Sequence, residues 1–204
     1  GNPRLERYIG ARHKGDPEVK FGKSFSSKYV AILAYVTALT TGSARGQHQG
    51  DVWIGVTPGG QLAVSTYGFV PADNYAALDP VDGLIKGWSD SDPGFDRVVA
   101  VPDVDPLASG AAIWLEVVSA DPAFQVIDDA FQFLHDPGDD TLLGGSNLHE
   151  HLTWHINNQD PAFDPTQCVW HATFVLRDDG TTGYATSEPL EFSFSTEPVR
   201  AAGI

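Results

Sequence analysis

The chain holds one cysteine, Cys168, and no methionine. A single thiol excludes an intrachain disulfide and any multi-thiolate metal site. Without methionine even at position 1, Gly1 is not expected to be the native start. Positive charge is also scarce beyond residue 46. Residues 1–46 carry eight of the twelve Lys and Arg but three of the 27 acids, which leaves residues 47–204 with a formal charge of −20. Such a body repels phosphate backbones, so no nucleic-acid partner is expected. It should equally avoid anionic membrane surfaces. It attracts cations, although solubility alone also accounts for the charge. No G-x-S-x-G is present, so the Ser, His and Asp residues have no nucleophile-elbow context.

Long apolar runs are few. The longest, Y-V-A-I-L-A-Y-V-T-A-L-T-T at 29–41, is preceded by Lys23 and Lys28 and followed by G-S-A-R-G. It is short for a membrane span, which takes about 20 apolar residues. A basic flank, an apolar stretch and small residues at its end describe a secretory signal peptide, with cleavage expected after Ala44 or Gly46. A buried helix of the folded domain is the competing reading. The expected organisation is a basic leader over 1–46, helical in its apolar run, then an acidic domain over 47–204. After leader removal no membrane insertion is expected, and the mature protein would be periplasmic, secreted or at the cell surface.

Beyond residue 50 the pattern is strand, turn, strand. Gly50–Thr57 and Leu62–Phe69 flank P-G-G-Q and predict a hairpin. Further strands are expected at Leu84–Trp88, Arg97–Val101, Ala111–Ser119, Leu148–Ile156, Val169–Leu176 and Leu190–Ser195. Phe124–His135 reads as helix or strand. Asp-Pro recurs seven times between 79 and 164, and each pair punctuates a loop, because proline lacks an amide donor and steers the preceding residue from helix. The fold class is therefore all-β, an antiparallel sandwich or jelly roll.

Three of the seven histidines fall within seven residues, in N-L-H-E-H-L-T-W-H-I at 147–156. On a strand, Leu148, Leu152, Trp154 and Ile156 share one face with Glu150, and His149, His151, Thr153 and His155 share the other. Same-face imidazoles at i and i+2 stand about 6.5–7 Å apart along the strand and can lean onto one cation. His149 and His151 are thus the leading metal ligands, and His48 in Q-H-Q-G-D is a candidate third. His171, on the polar face of Val169–Leu176, would join them if the two strands pair; His135 is a further alternative. Single histidines are more often ordinary hydrogen-bonded groups, and His155, His171 and His135 are open to that reading. Trp154 and Trp170, on apolar faces, are expected in the core. Nitrogen-rich donors suit zinc or copper over calcium. Affinity should fall below about pH 6 as imidazoles protonate. The acidic loops at 89–96 and 135–140 lack EF-hand spacing and read as solvated.

H-x-H-x-x-W at 149–154, the continuation C-V-W-H-A-T-F-V-L and the early H-Q-G-D-V-W-I-G-V-T-P-G-G-Q-L together resemble secreted bacterial surface proteins. These are the actinobacterial surface-anchored repeat and the zinc-uptake-regulated PEP-CTERM type. The resemblance covers roughly 48–69 and 147–196. It implies an exported β-sandwich whose histidines bind metal, carried here by His48, His149, His151 and Trp154. The chain ends S-T-E-P-V-R-A-A-G-I with no apolar anchor, so a soluble secreted form is expected. The cupin signature is matched less well, because no Glu follows H-x-H at the required spacing. Three functions follow: a non-catalytic metal-binding protein, a metal-dependent enzyme of jelly-roll type, and a carbohydrate-binding or adhesive module. A third ligand around a solvent-reachable position would favour the enzyme, and exposed coplanar aromatics would favour the module.

Overall fold

The computed structural model describes residues 50–196; the leader assigned to 1–46 and His48 lie outside the described residues. In chain order the strands are β1 (Val52–Val56), β2 (Leu62–Val64), β3 (Tyr75–Ala77), β4 (Asp79–Asp82), β5 (Lys86–Asp90), β6 (Phe95–Arg97) and β7 (Ile113–Ala120). They continue with β8 (Phe124–Ile127), β9 (Phe133–Leu134), β10 (Asp140–Gly144), β11 (His149–Glu150), β12 (Thr153–Asn157), β13 (Val169–Asp178) and β14 (Leu190–Ser195). Among the described residues the only helical piece is a 3-10 turn at Pro71–Asp73, so the fold is all-β as the sequence indicates.

Three sheets result, with strand orders β11-β6-β1-β2, β4-β5-β12-β8-β9 and β10-β7-β13-β14-β3. All pairings are antiparallel except β1 with β6 and β3 with β14. The expected hairpin forms, with Ile54 opposite Val64 and Val56 opposite Leu62, and Gly60 adopts φ +83° in its loop. That left-handed value is one glycine reaches without a Cβ clash.

The first two sheets face the third across a shared core. Trp154 of β12 packs at 5.0–5.8 Å between ring centroids from Phe174, Phe192 and Phe194, and Phe95 of β6 reaches Phe192 at 6.2 Å. Trp154 and Trp170 are fully buried, as their apolar faces predict. Alternation creates this: Ile113, Leu115 and Val117 of β7, and Trp170, Ala172, Phe174 and Leu176 of β13, are buried at every second position.

The differences from expectation are local. The strand expected over Leu148–Ile156 is broken into β11 and β12. Phe124–His135 contains the paired strands β8 and β9 rather than a helix. The strand expected at Arg97–Val101 instead ends at Arg97, and Val99 is exposed. Strands β3, β4 and β10 were not indicated by the sequence; Asp-Pro at 79 actually lies inside β4. As an edge strand β4 tolerates a proline, because its outward amide needs no ladder partner.

Candidate metal centre

The break between β11 and β12 shapes the site. β6 pairs with β11, with Asp96 opposite His149 and Phe95 opposite Glu150, while β5 pairs with β12, with Asp90 opposite Trp154. Residues 91–94 therefore face only 151–153, and the extra residue bulges out of what would be one long ladder. Bulges bend a strand and re-aim a side chain. Here the residue opposite the bulge is His151.

His151 lies against Gly94. A Cβ at Gly94 would stand 2.5 Å from the imidazole Cε1, 2.6 Å from Nδ1 and 2.8 Å from Nε2, closer than real Cβ atoms come. Only glycine lets the ring settle there. Nδ1 of His151 is 3.1 Å from the Ser91 carbonyl oxygen and 3.4 Å from Asp92 Oδ1. Such partners fix a proton on Nδ1 and direct the Nε2 lone pair to a ligand, as outer groups around ligating histidines do. His149, half-exposed on β11, has Nδ1 3.8 Å from Asp96 Oδ1. The two rings sit edge to face, with centroids 5.2 Å apart. The broken strand thus keeps the imidazoles adjacent, as a regular strand was expected to.

The third member is Asp51, just before β1. Its side chain is wholly buried; Oδ1 accepts the Gly94 amide at 3.2 Å, and Oδ2 has no hydrogen-bond partner. Its backbone is fixed by the Phe69 amide, which donates to the Asp51 carbonyl at 2.7 Å, and by the neighbouring Val52 amide, which donates to the Gly94 carbonyl at 2.8 Å. A buried acceptor left unpaired costs about 1–3 kcal/mol, and a charged one more. One ligand atom each from Asp51, His149 and His151 lies within 4.8 Å of the others, and among the described residues these form the group able to share an ion. Zinc holds donors at about 2.0–2.2 Å, so side-chain rotation must close the group slightly.

Trp154 ties this arrangement to the core. Its indole N–H donates to the Pro93 carbonyl oxygen at 3.0 Å. The 91–94 bulge is therefore held at three points: Ser91 by His151, Pro93 by Trp154 and Gly94 by Asp51. The spacing H-x-H-x-x-W gains a physical meaning, because the tryptophan anchors the backbone on which the second histidine rests.

The other candidates fall elsewhere. β12 pairs with β5 and β8, and β13 with β7 and β14, so the pairing that would have brought His171 to the H-x-H surface does not form. The reason is packing: β12 and β13 belong to facing layers, with Trp154 against Phe174. His171 is exposed, its Nδ1 3.0 Å from the Ser193 hydroxyl. His135 Nδ1 contacts the Phe124 carbonyl oxygen at 2.7 Å. His155 is buried, with Nδ1 3.1 Å from the Trp88 carbonyl oxygen, and burial holds its pKa below the ordinary imidazole value against the raising effect of that carbonyl. Burial, reinforced by Asp129, raises the Glu150 carboxyl above its usual range.

Sequence reading missed Asp51. Its one signal was position, three residues after His48 in the same short segment; nothing in the local pattern shows a buried acid. No family model, curated protein or solved structure matches the chain.

Proposed function

We propose that this β-sandwich is a secreted, non-catalytic metal-binding protein that holds zinc, or alternatively copper, through Asp51, His149 and His151. The observation that carries this reading is the buried, unpaired Oδ2 of Asp51 beside two adjacent imidazoles. A cation supplies what that oxygen lacks and draws on the lone pairs of both rings. The carboxylate inclines the donor set toward zinc, which readily takes mixed nitrogen and oxygen ligands. Export is supported by the basic flank, apolar run and small residues of the leader, and the surface-protein resemblance by H-x-H-x-x-W. His48 remains a candidate further ligand, three residues from Asp51 in the chain.

A metal-dependent enzyme is the second reading. It is favoured by three chain ligands beside a half-exposed His149. A regular strand would place Glu150 on the face opposite the two rings, which counts against it as the catalytic base. The adhesive-module reading is weakened, since Trp154 and Trp170 are buried and offer no stacking surface.

The test is metal analysis and equilibrium dialysis on untagged protein, alone and as Asp51→Asn, His149→Ala and His151→Ala. One zinc or copper per chain is expected in the wild type, with binding weakened by each change. At about 100 times Kd the ion should add about 2.7 kcal/mol of stability. For a chain of this size that raises Tm by about 5–10 °C. Asp51→Asn should lose this rise while its metal-free form stays folded. Unchanged stoichiometry and affinity in all three variants would reject the site.

A further inference from the structure

We infer that the groove between β2 and the start of β14 binds an extended segment of another polypeptide, bearing Lys or Arg, by strand addition. The groove has a volume of about 320 Å³, and its lining includes Leu62, Val64, Pro71 and Leu190 together with the exposed Glu188 and Glu191. β2 and β11 are the two outer strands of one sheet, so the groove borders the edge opposite His149 and stands independently of the metal reading.

The first observation is backbone without a strand partner on both walls. In the β1–β2 ladder the Thr57 amide donates to the Gln61 carbonyl and the Ser65 amide to the Trp53 carbonyl, each at 2.8 Å. Odd-numbered residues from 61 to 65 thus bond to β1, and Leu62 and Val64 turn their amides and carbonyls the other way. The Leu62 amide donates to the Ala185 carbonyl at 2.9 Å, but by Ser187 the neighbouring chain has left for β13, where its amide donates to the Leu176 carbonyl at 3.0 Å. Val64 is left facing the gap. Across it, the Thr196 amide donates to the Cys168 carbonyl, which makes even-numbered residues of β14 the ones bonded to β13. Glu191 therefore turns its backbone away from β13, and β3 meets β14 only from Ser193 onward. Among the described residues, neither Val64 nor Glu191 has a strand partner on its groove side. Such edges are templates for an added strand.

Side chains then select the kind of strand. Leu62, Val64, Pro71 and Leu190 give an apolar lining, which suits an apolar residue at every second position of the incoming segment, because a strand sends alternate side chains to one face. Charge selects the rest. Glu188 and Glu191 are the charged residues of the lining, and no Lys or Arg joins them. The Glu188 carboxylate accepts from Gln61 Nε2 at 3.2 Å, which holds it in place beside β2. With residues 47–204 at −20, an acidic segment is repelled and a basic one is attracted.

The experiment follows the fluorescence anisotropy of labelled hexapeptides mixed with the full chain at fixed ionic strength. The probes alternate Lys with Val, Leu or Phe. Matched controls replace Lys by Glu, or carry N-methyl groups on alternate peptide nitrogens, which removes backbone donors and leaves the charge. At least one Lys peptide is expected to saturate. Its N-methyl counterpart should bind about tenfold more weakly, as the loss of one or two hydrogen bonds implies. The Glu counterpart should bind more weakly still, and Glu191→Lys protein should lose affinity several-fold while its thermal melt stays unchanged. Absence of saturation with every Lys peptide overturns the inference. So does an N-methyl peptide that binds as tightly as its parent, which marks non-specific attraction to the acidic body, and so does unchanged affinity in Glu191→Lys protein. Self-association in sedimentation that the Lys peptides disperse also overturns it, because the occupant is then a second copy of the chain.

Discussion

Gly94→Ala tests the site where it is least adjustable. The new methyl carbon would stand 2.5–2.8 Å from three atoms of the His151 ring, and 3.4 Å is the onset of ordinary contact. The ring must therefore retreat by about 0.9 Å, or the backbone must move. The backbone is pinned, since the Gly94 amide donates to Asp51 Oδ1 and its carbonyl accepts from Val52. The imidazole side chain is the softer partner, so it is the ring that shifts. Metal–nitrogen distances tolerate about 0.2 Å, so a displacement several times larger removes His151 as a ligand unless the ion follows it. Changes to groups that orient ligands cost about 10–100-fold in metal affinity, and loss at the upper end is expected here. That factor corresponds to about 1.4–2.7 kcal/mol, since each tenfold is about 1.36 kcal/mol. The assay is competition for zinc against a chromophoric chelator, with a thermal melt of the metal-free variant to verify folding. In a His151→Ala background the glycine change should have little further effect on affinity, because the obstructed ring is gone. Wild-type affinity in folded Gly94→Ala protein would refute the geometry.

Two further outcomes follow from the same contacts. Trp154→Phe retains an aromatic ring in the core but removes the N–H that holds the Pro93 carbonyl, so it should cost about 1–2 kcal/mol in denaturant melts and lower zinc affinity several-fold. An affinity unchanged by that substitution would show that the bulge holds His151 without the tryptophan. Burial holds the folded pKa of His155 below the ordinary imidazole value, so between the two the unfolded chain binds more protons. Stability is then complete above about pH 6.5 and falls as pH drops toward the folded value. His155→Gln should flatten that part of the stability–pH curve in metal-free protein, and an unchanged slope from urea melts at pH 5 to 7 would discount His155 as its source.

Much of the fold is written locally. Period-two alternation in 148–156 and 169–176 identified Trp154 and Trp170 as core residues, because a strand sends neighbours to opposite faces whatever sheet it joins, although His155, on the expected polar face, is buried as well. The P-G-G-Q hairpin was legible for the same reason: its turn chemistry and its strands are contiguous. Strands β3, β4 and β10 were not, because short segments without a sustained apolar alternation become strands only when a longer neighbour offers its edge.

The sequence alone determined an all-β chain and two imidazoles set to meet. Tertiary structure decided what they meet. Asp51 and His149 are 98 positions apart, and β6 is inserted between their strands by a parallel pairing on one side and an antiparallel one on the other. No local rule specifies that insertion. It comes from packing two sheets over a third, which is also why His171 lies on a different layer and a buried carboxylate completes the group.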